Sequence, residues 1–189
     1  MAGRMENIGG RHGNPLRIAV WGLAASLLLL PAVAMRFTDE VDWTPSDFVT
    51  WGAMLAIACG TYELAARAMG SRAYRAGVGT AVATAFLLVW INLAVGIVGS
   101  EGNPANLMYA GVLAVGIAGA FVARCRPAGM ARAMVATAFA QALVGAIVLG
   151  GRMGDEAVVL TTCFVAPWLA SAWLFRIAAR EEVATSATR

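Results

Sequence analysis

The chain has 189 residues, 60% of them hydrophobic and 13% charged, with a mean hydropathy of +0.71. A soluble domain of this size carries about 25% charged residues, so the composition excludes an ordinary water-soluble globule and points to lipid. Net charge is +3 and every basic side chain is an arginine; the arginines lie between apolar runs and form no single patch, so nucleic acid is not an expected partner.

Residues 1–17 form a polar tail that holds His12, the only histidine. The three cysteines, Cys59, Cys125 and Cys163, show no CxxC spacing. Neither a metal centre, a cofactor nor a disulfide framework is expected from this set. Six apolar runs follow, at 18–35, 48–69, 76–99, 105–123, 133–149 and 157–175. A spanning helix needs about 20 apolar residues, and backbone groups in hydrocarbon must be satisfied within their own segment, so the runs are read as helices. Alternation of the outer-membrane barrel type is absent. The expected fold is an all-α membrane protein, a six-helix transmembrane domain over 18–177 with a polar tail at 178–189. Arg17, the first apolar run and Pro31-Ala-Val-Ala34 also fit a secretory signal with an A-x-A site. The run is longer than a usual signal core, and it is read as a retained helix.

Arginine placement sets the expected orientation. With the N-terminus cytoplasmic, that side collects twelve arginines (4, 11, 17, 67, 72, 75, 124, 126, 132, 176, 180 and 189) and the other only Arg36 and Arg152. The far side also takes most of the acidic loop residues, Asp39, Glu40, Asp42, Asp47, Glu101, Asp155 and Glu156. Both termini are therefore expected inside, with the chain multi-pass in a membrane.

Two helix starts share one grammar. Thr44-Pro45-Ser46-Asp47 reads as a capping-box-like pair, and Asn103-Pro104-Ala105-Asn106 as an Asn cap followed by Pro in the first turn. They are 59 positions apart, and Gly52/Gly111 and Gly60/Gly119 match at that offset. At an offset of 53, "VATAF" recurs at 82–86 and 135–139. The second and third helices thus read as a duplicated hairpin of the fourth and fifth, parallel in the membrane. Small residues recur every fourth place at Gly77, Ala81 and Ala85, at Ala110, Ala114 and Ala118, and at Ala138, Ala142, Ala146 and Gly150. These stripes are expected inside the bundle, or at an interface with a protein partner or a second copy. Pro167 removes the donor for the Cys163 carbonyl, so a kink is expected in the sixth run.

Polar side chains at depth are the functional candidates. Glu63 and Gln141 are expected as an inner polar pair, roughly 9 and 12 Å from the cytoplasmic end by helical rise, with Arg67 one turn below Glu63. Asn92, Tyr109, Thr161 and Thr162 are expected at one outer depth, beneath Glu101 and Asn103 and beside Trp90, as the lining of a small outward-facing pocket. Ordinary helix glue and interfacial anchoring account for the same residues without a ligand.

The segment "FLLVWINLAVGIVGSEGNPANLMYAGVLAVGIAGAFVARCRPAGMARAMVATAFAQALVG", with "FTDEVDWTPSDF" and "YELAAR", resembles an uncharacterised family of small polytopic bacterial inner-membrane proteins with no assigned activity. The resemblance implies a bacterial inner-membrane setting and carries over no site residues. The residues themselves offer no Ser/His pair, metal cluster or reactive cysteine pair, so no catalytic residue and no enzyme activity are expected. The expected function is that of an accessory or assembly-type helix bundle in lipid. The alternative is a small-solute transporter or channel using the outer polar pocket.

Overall fold

Prolines open four of the helical segments, because the first turn of a helix needs no N–H from them. In the computed structural model, which describes residues 15–68 and 70–187, these are α1 (Pro15–Ala34), α2 (Pro45–Ala68), a 3₁₀ turn (Pro104–Asn106) that leads into α4 (Leu107–Ala123), and α5 (Pro127–Gly150). The remaining helices are α3 (Arg72–Ala94), α6 (Asp155–Cys163) and α7 (Val165–Ala187). All regular structure among the described residues is helical, and six segments are long and apolar enough to cross a membrane, α6 and α7 together counting as one. Residues 1–14, with His12, lie outside the described residues.

Three boundaries differ from the sequence expectation, each for a local reason. Helix α3 stops at Ala94 instead of 99, because Gly96 and Gly99 take left-handed φ of 73° and 71°. Helix α5 begins at Pro127, six residues before 133, since Arg132 is exposed and does not end it. The sixth run is two helices, interrupted at Phe164, and α7 runs through Ala187 into the stretch read as a tail. The interruption puts Pro167 in the first turn of α7, where its missing N–H costs no hydrogen bond.

The chain divides within α2 into two compact units, up to Cys59 and from Gly60 onward. In the first, Asp47 Oδ2 accepts hydrogen bonds from the Thr44 N–H (2.8 Å) and the Thr44 hydroxyl (2.7 Å), which caps α2. Trp43 packs edge-on against Phe48 and Trp51, with ring centroids 5.3 and 6.1 Å apart. The buried Trp51 indole N–H donates to the Leu27 carbonyl of α1 at 3.0 Å. Leu27 lies four residues before Pro31, which supplies no N–H, so the indole replaces a helical bond that α1 cannot make.

In the second unit α5 and α7 are central: α4 and α6 pack on α5, and α3 packs on α7. Tyr74 meets Phe175 edge-on at 5.2 Å, and a Cβ at Gly77 would stand 3.3 Å from that ring. The Ser171 hydroxyl donates to the Gly77 carbonyl at 2.8 Å, fixing α7 to α3. Helix α4 turns Tyr109, Val112, Gly116 and Gly119 toward its neighbours. At Gly119 an added Cβ would lie 2.7 Å from Ala133 Cβ, so only glycine permits this approach to α5.

The small-residue stripes divide. Gly77 and Ala138 are buried, whereas Ala110, Ala114 and Ala118 of α4, and Ala142, Ala146 and Gly150 of α5, are exposed. The expectation that all three stripes line the bundle interior is corrected in this respect. The α4–α5 contact is built one helical face away, by Gly116 and Gly119. Gly119→Leu is expected to destabilise the protein by about 1–3 kcal/mol through overpacking. Gly111→Leu, where no neighbouring atom lies within 4 Å, is the control. Thermal unfolding in detergent checks both, and equal melting temperatures for the two variants contradict the packing.

Candidate functional site

The turn between α3 and α4 is built around one side chain. Asn106 Oδ1 accepts from the Ile97 and Val98 N–H groups at 3.2 and 2.9 Å, while its Nδ2 donates to the Val98 and Ser100 carbonyls at 3.4 and 2.7 Å. The clamp folds the turn back so that Ile97 and Val98 are 5% and 3% exposed, within the hydrophobic core. Gly96 is required at the fold: a Cβ there would fall 2.4 Å from the Ser100 carbonyl. Asn103 Oδ1 accepts from the Ala105 N–H at 3.0 Å and caps the 3₁₀ turn, while Glu101 is exposed beside it. Two aliphatic side chains thus pack into the core from the turn where a pocket mouth was expected.

The same unit holds a buried polar knot. The Tyr109 and Thr161 hydroxyls share a hydrogen bond of 2.6 Å, and Gln141 Nε2 donates to the Thr161 carbonyl at 3.1 Å. Thr161 and Gln141 are fully buried and Tyr109 is 2% exposed. Three helices, α4, α5 and α6, meet at this point. Tyr109 and Thr161 belong to the outer set anticipated from sequence, whereas Gln141 was expected in the inner pair. The earlier start of α5 explains the change: Gln141 stands fourteen residues from Pro127, or about 21 Å by helical rise, which brings it level with Thr161.

The other anticipated residues do not join the knot. Asn92 Nδ2 donates to the Leu88 carbonyl of its own helix at 2.8 Å, and the exposed Thr162 hydroxyl donates to the Val158 carbonyl of its own helix at 2.7 Å. Trp90 is 39% exposed. Glu63 forms its ion pair with Arg67 at the favourable i,i+4 spacing, and Gln141 is directed to Thr161 instead of Glu63.

At the opposite end of the unit a cleft of about 480 Å³ opens among the starts of α3 and α5 and the last turns of α7. Ser71, Pro127, Ala178, Glu181 and Glu182 line it. Ser71 caps α3 by accepting from the Tyr74 N–H, and its hydroxyl donates to the Glu181 carboxylate. A carboxylate at a helix N-terminus is electrostatically favourable. The Tyr74 hydroxyl donates to the Cys125 carbonyl at 2.9 Å and ties α3 to the α4–α5 turn. Sequence reasoning missed this cleft because its walls come from three chain segments with no shared motif.

Chemically, the knot is an uncharged set of hydroxyl, amide and carbonyl groups that can hold a hydrogen-bonding partner. Among the described residues no group of three or more His, Cys, Asp or Glu side chains comes together. No family model, curated protein or solved structure matches this chain.

Proposed function

We propose that the protein is a multi-pass helix bundle of the bacterial inner membrane, with both termini cytoplasmic, that acts as an accessory or assembly subunit without catalytic chemistry of its own. The observation that carries this reading is how the deep polar groups are used. Tyr109, Gln141, Thr161 and Ser171 bond across helices and hold the bundle together, while the small-residue face of α4 at Ala110, Ala114 and Ala118 is exposed. Small residues let another helix approach closely in lipid, where packing drives association. The arginine asymmetry supports the orientation.

A parallel duplication of the α2–α3 and α4–α5 hairpins is part of the same reading. The repeated "VATAF" supports it: Thr84 and Thr137 are both buried, and each hydroxyl donates to the carbonyl four residues earlier, at 2.7 and 2.9 Å. A second reading, a small-solute transporter, is favoured by the α6–α7 interruption, since broken helices build substrate sites in transporters.

Purification in mild detergent separates the two readings. An accessory subunit co-purifies with a stoichiometric membrane partner, and Ala114→Leu abolishes the association without lowering the melting temperature. A partnerless monomer that carries solute flux in proteoliposomes instead supports transport. Orientation is tested with the native Cys125, which is exposed in the α4–α5 turn. A membrane-impermeant maleimide is expected to label it in inverted vesicles and not in intact spheroplasts. The reverse pattern overturns the assignment of both termini to the cytoplasm.

A further inference from the structure

The turn that joins α4 to α5 reads Arg124-Cys125-Arg126, and all three residues are exposed. The Tyr74 hydroxyl donates to the Cys125 carbonyl at 2.9 Å. That bond sets the first turn of α3, with the exposed Arg72 and the half-buried Arg75, against the α4–α5 turn. Residues 71–75 and 124–130 together hold four arginines and no acidic side chain. Arg75 Nη2 donates to the Gly70 carbonyl at 2.9 Å and is committed within the protein. Among the described residues no carboxylate forms an ion pair with Arg72, Arg124 or Arg126. Glu181 and Glu182 line the cleft between α3, α5 and α7, where the Ser71 hydroxyl donates to Glu181. They offset charge on the α7 side of this end and leave the arginines of the turn unpaired. Like charges held together in this way raise the local positive potential, which an anion from outside relieves.

The neighbouring surface selects the anion. Phe121 and Val122 lie within one helical turn before Arg124, and they are 78% and 85% exposed. Helix α4 is long and apolar enough to cross a membrane. Along its last turn, uncovered apolar surface therefore passes directly into guanidinium groups. A phospholipid has the same order, acyl chain and then phosphate. Guanidinium pairs with phosphate through two parallel N–H donors, and basic clusters at the ends of spanning helices attract anionic lipid. A zwitterionic headgroup carries its own cation beyond the phosphate, which the arginines repel. A free phosphate gains nothing from Phe121 and Val122.

We propose that Arg124 and Arg126, with Arg72 beside them, bind the headgroup of an anionic phospholipid whose acyl chain lies against Phe121 and Val122. The proposal rests on the reading of these helices as membrane-spanning; it does not depend on which side of the membrane the turn faces.

The test is native mass spectrometry of the full chain in a non-ionic detergent, with equal amounts of phosphatidylglycerol and phosphatidylcholine of the same acyl chains. Phosphatidylglycerol is expected to be retained in preference. Arg124→Gln with Arg126→Gln is expected to weaken its binding about 25-fold, at about fivefold for each arginine removed. Arg152→Gln, in the α5–α6 turn, is expected to leave binding unchanged. If the double variant does not fold, Arg72→Gln on α3 is the second variant, with an expected loss of about fivefold. Equal retention of the two lipids overturns the proposal, and so does an equal loss in Arg152→Gln, which marks general charge attraction. Displacement of the lipid by inorganic phosphate at equal concentration identifies a free-anion site and overturns it as well. The membrane reading fails by a different result: a chain that stays dispersed without detergent refutes that reading and this proposal together.

Discussion

Trp51→Phe is expected to destabilise the first unit by about 1–3 kcal/mol, the cost of leaving a part-buried carbonyl without its donor. The ring that remains keeps much of the contact with Trp43, so the lost group is mainly the indole N–H that donates to Leu27. The decisive comparison adds Pro31→Ala. Alanine at 31 supplies the backbone N–H that α1 lacks, and the Leu27 carbonyl then has a donor within its own helix. In that background Trp51→Phe is expected to cost less than about 1 kcal/mol, the range of an ordinary net hydrogen bond. Unfolding in detergent, measured for the four members of the cycle, reads the coupling directly. Equal costs of Trp51→Phe in both backgrounds would falsify the replacement of a helical bond by the indole.

Asn106→Leu is the second large effect. It removes an acceptor for two backbone N–H groups and a donor to two carbonyls, all in one turn. At about 1 kcal/mol for each net bond, and with the longer ones discounted, the expected loss is roughly 2–4 kcal/mol. Ile97 and Val98 then lose the backbone geometry that buries them. Hydrogen exchange at their amides is expected to rise strongly, while exchange along α5 changes far less because local openings differ across a structure. Asn106→Asp keeps the acceptor oxygens but loses the donor, so it is expected to fall between the two. Unaltered protection of Ile97 and Val98 in Asn106→Leu contradicts the clamp.

The candidate residues were legible in proportion to how local their roles are. The capping of α2 by Thr44 and Asp47, the cap at Asn103 and the Glu63–Arg67 pair each span at most four residues, and all can be read from spacing along one helix. Gln141 could not be placed in the same way. Its level depends on where α5 begins, and an arginine at 132 looked like a boundary although it sits on an exposed part of the helix. Asn106 was legible as a helix-start residue, but its use as a clamp depends on a turn that returns to it across eight or nine residues. The role of Trp51 had a usable signal: a carbonyl four residues before a mid-helix proline needs a donor, and a tryptophan on the next helix can provide one.

What this sequence determined by itself is that the chain is a set of lipid-length helices, because hydropathy and the demand for internally satisfied backbone act within single segments. Only the tertiary structure decided which faces meet. Glycine and alanine stripes on α4 and α5 are equally apolar all round, so hydrophobic pattern cannot choose between them. The choice fell to steric fit, with Gly116 and Gly119 lying against Thr137 and Ala133. It fell also to a few buried hydrogen bonds between helices, whose partners lie from 20 to 94 residues apart.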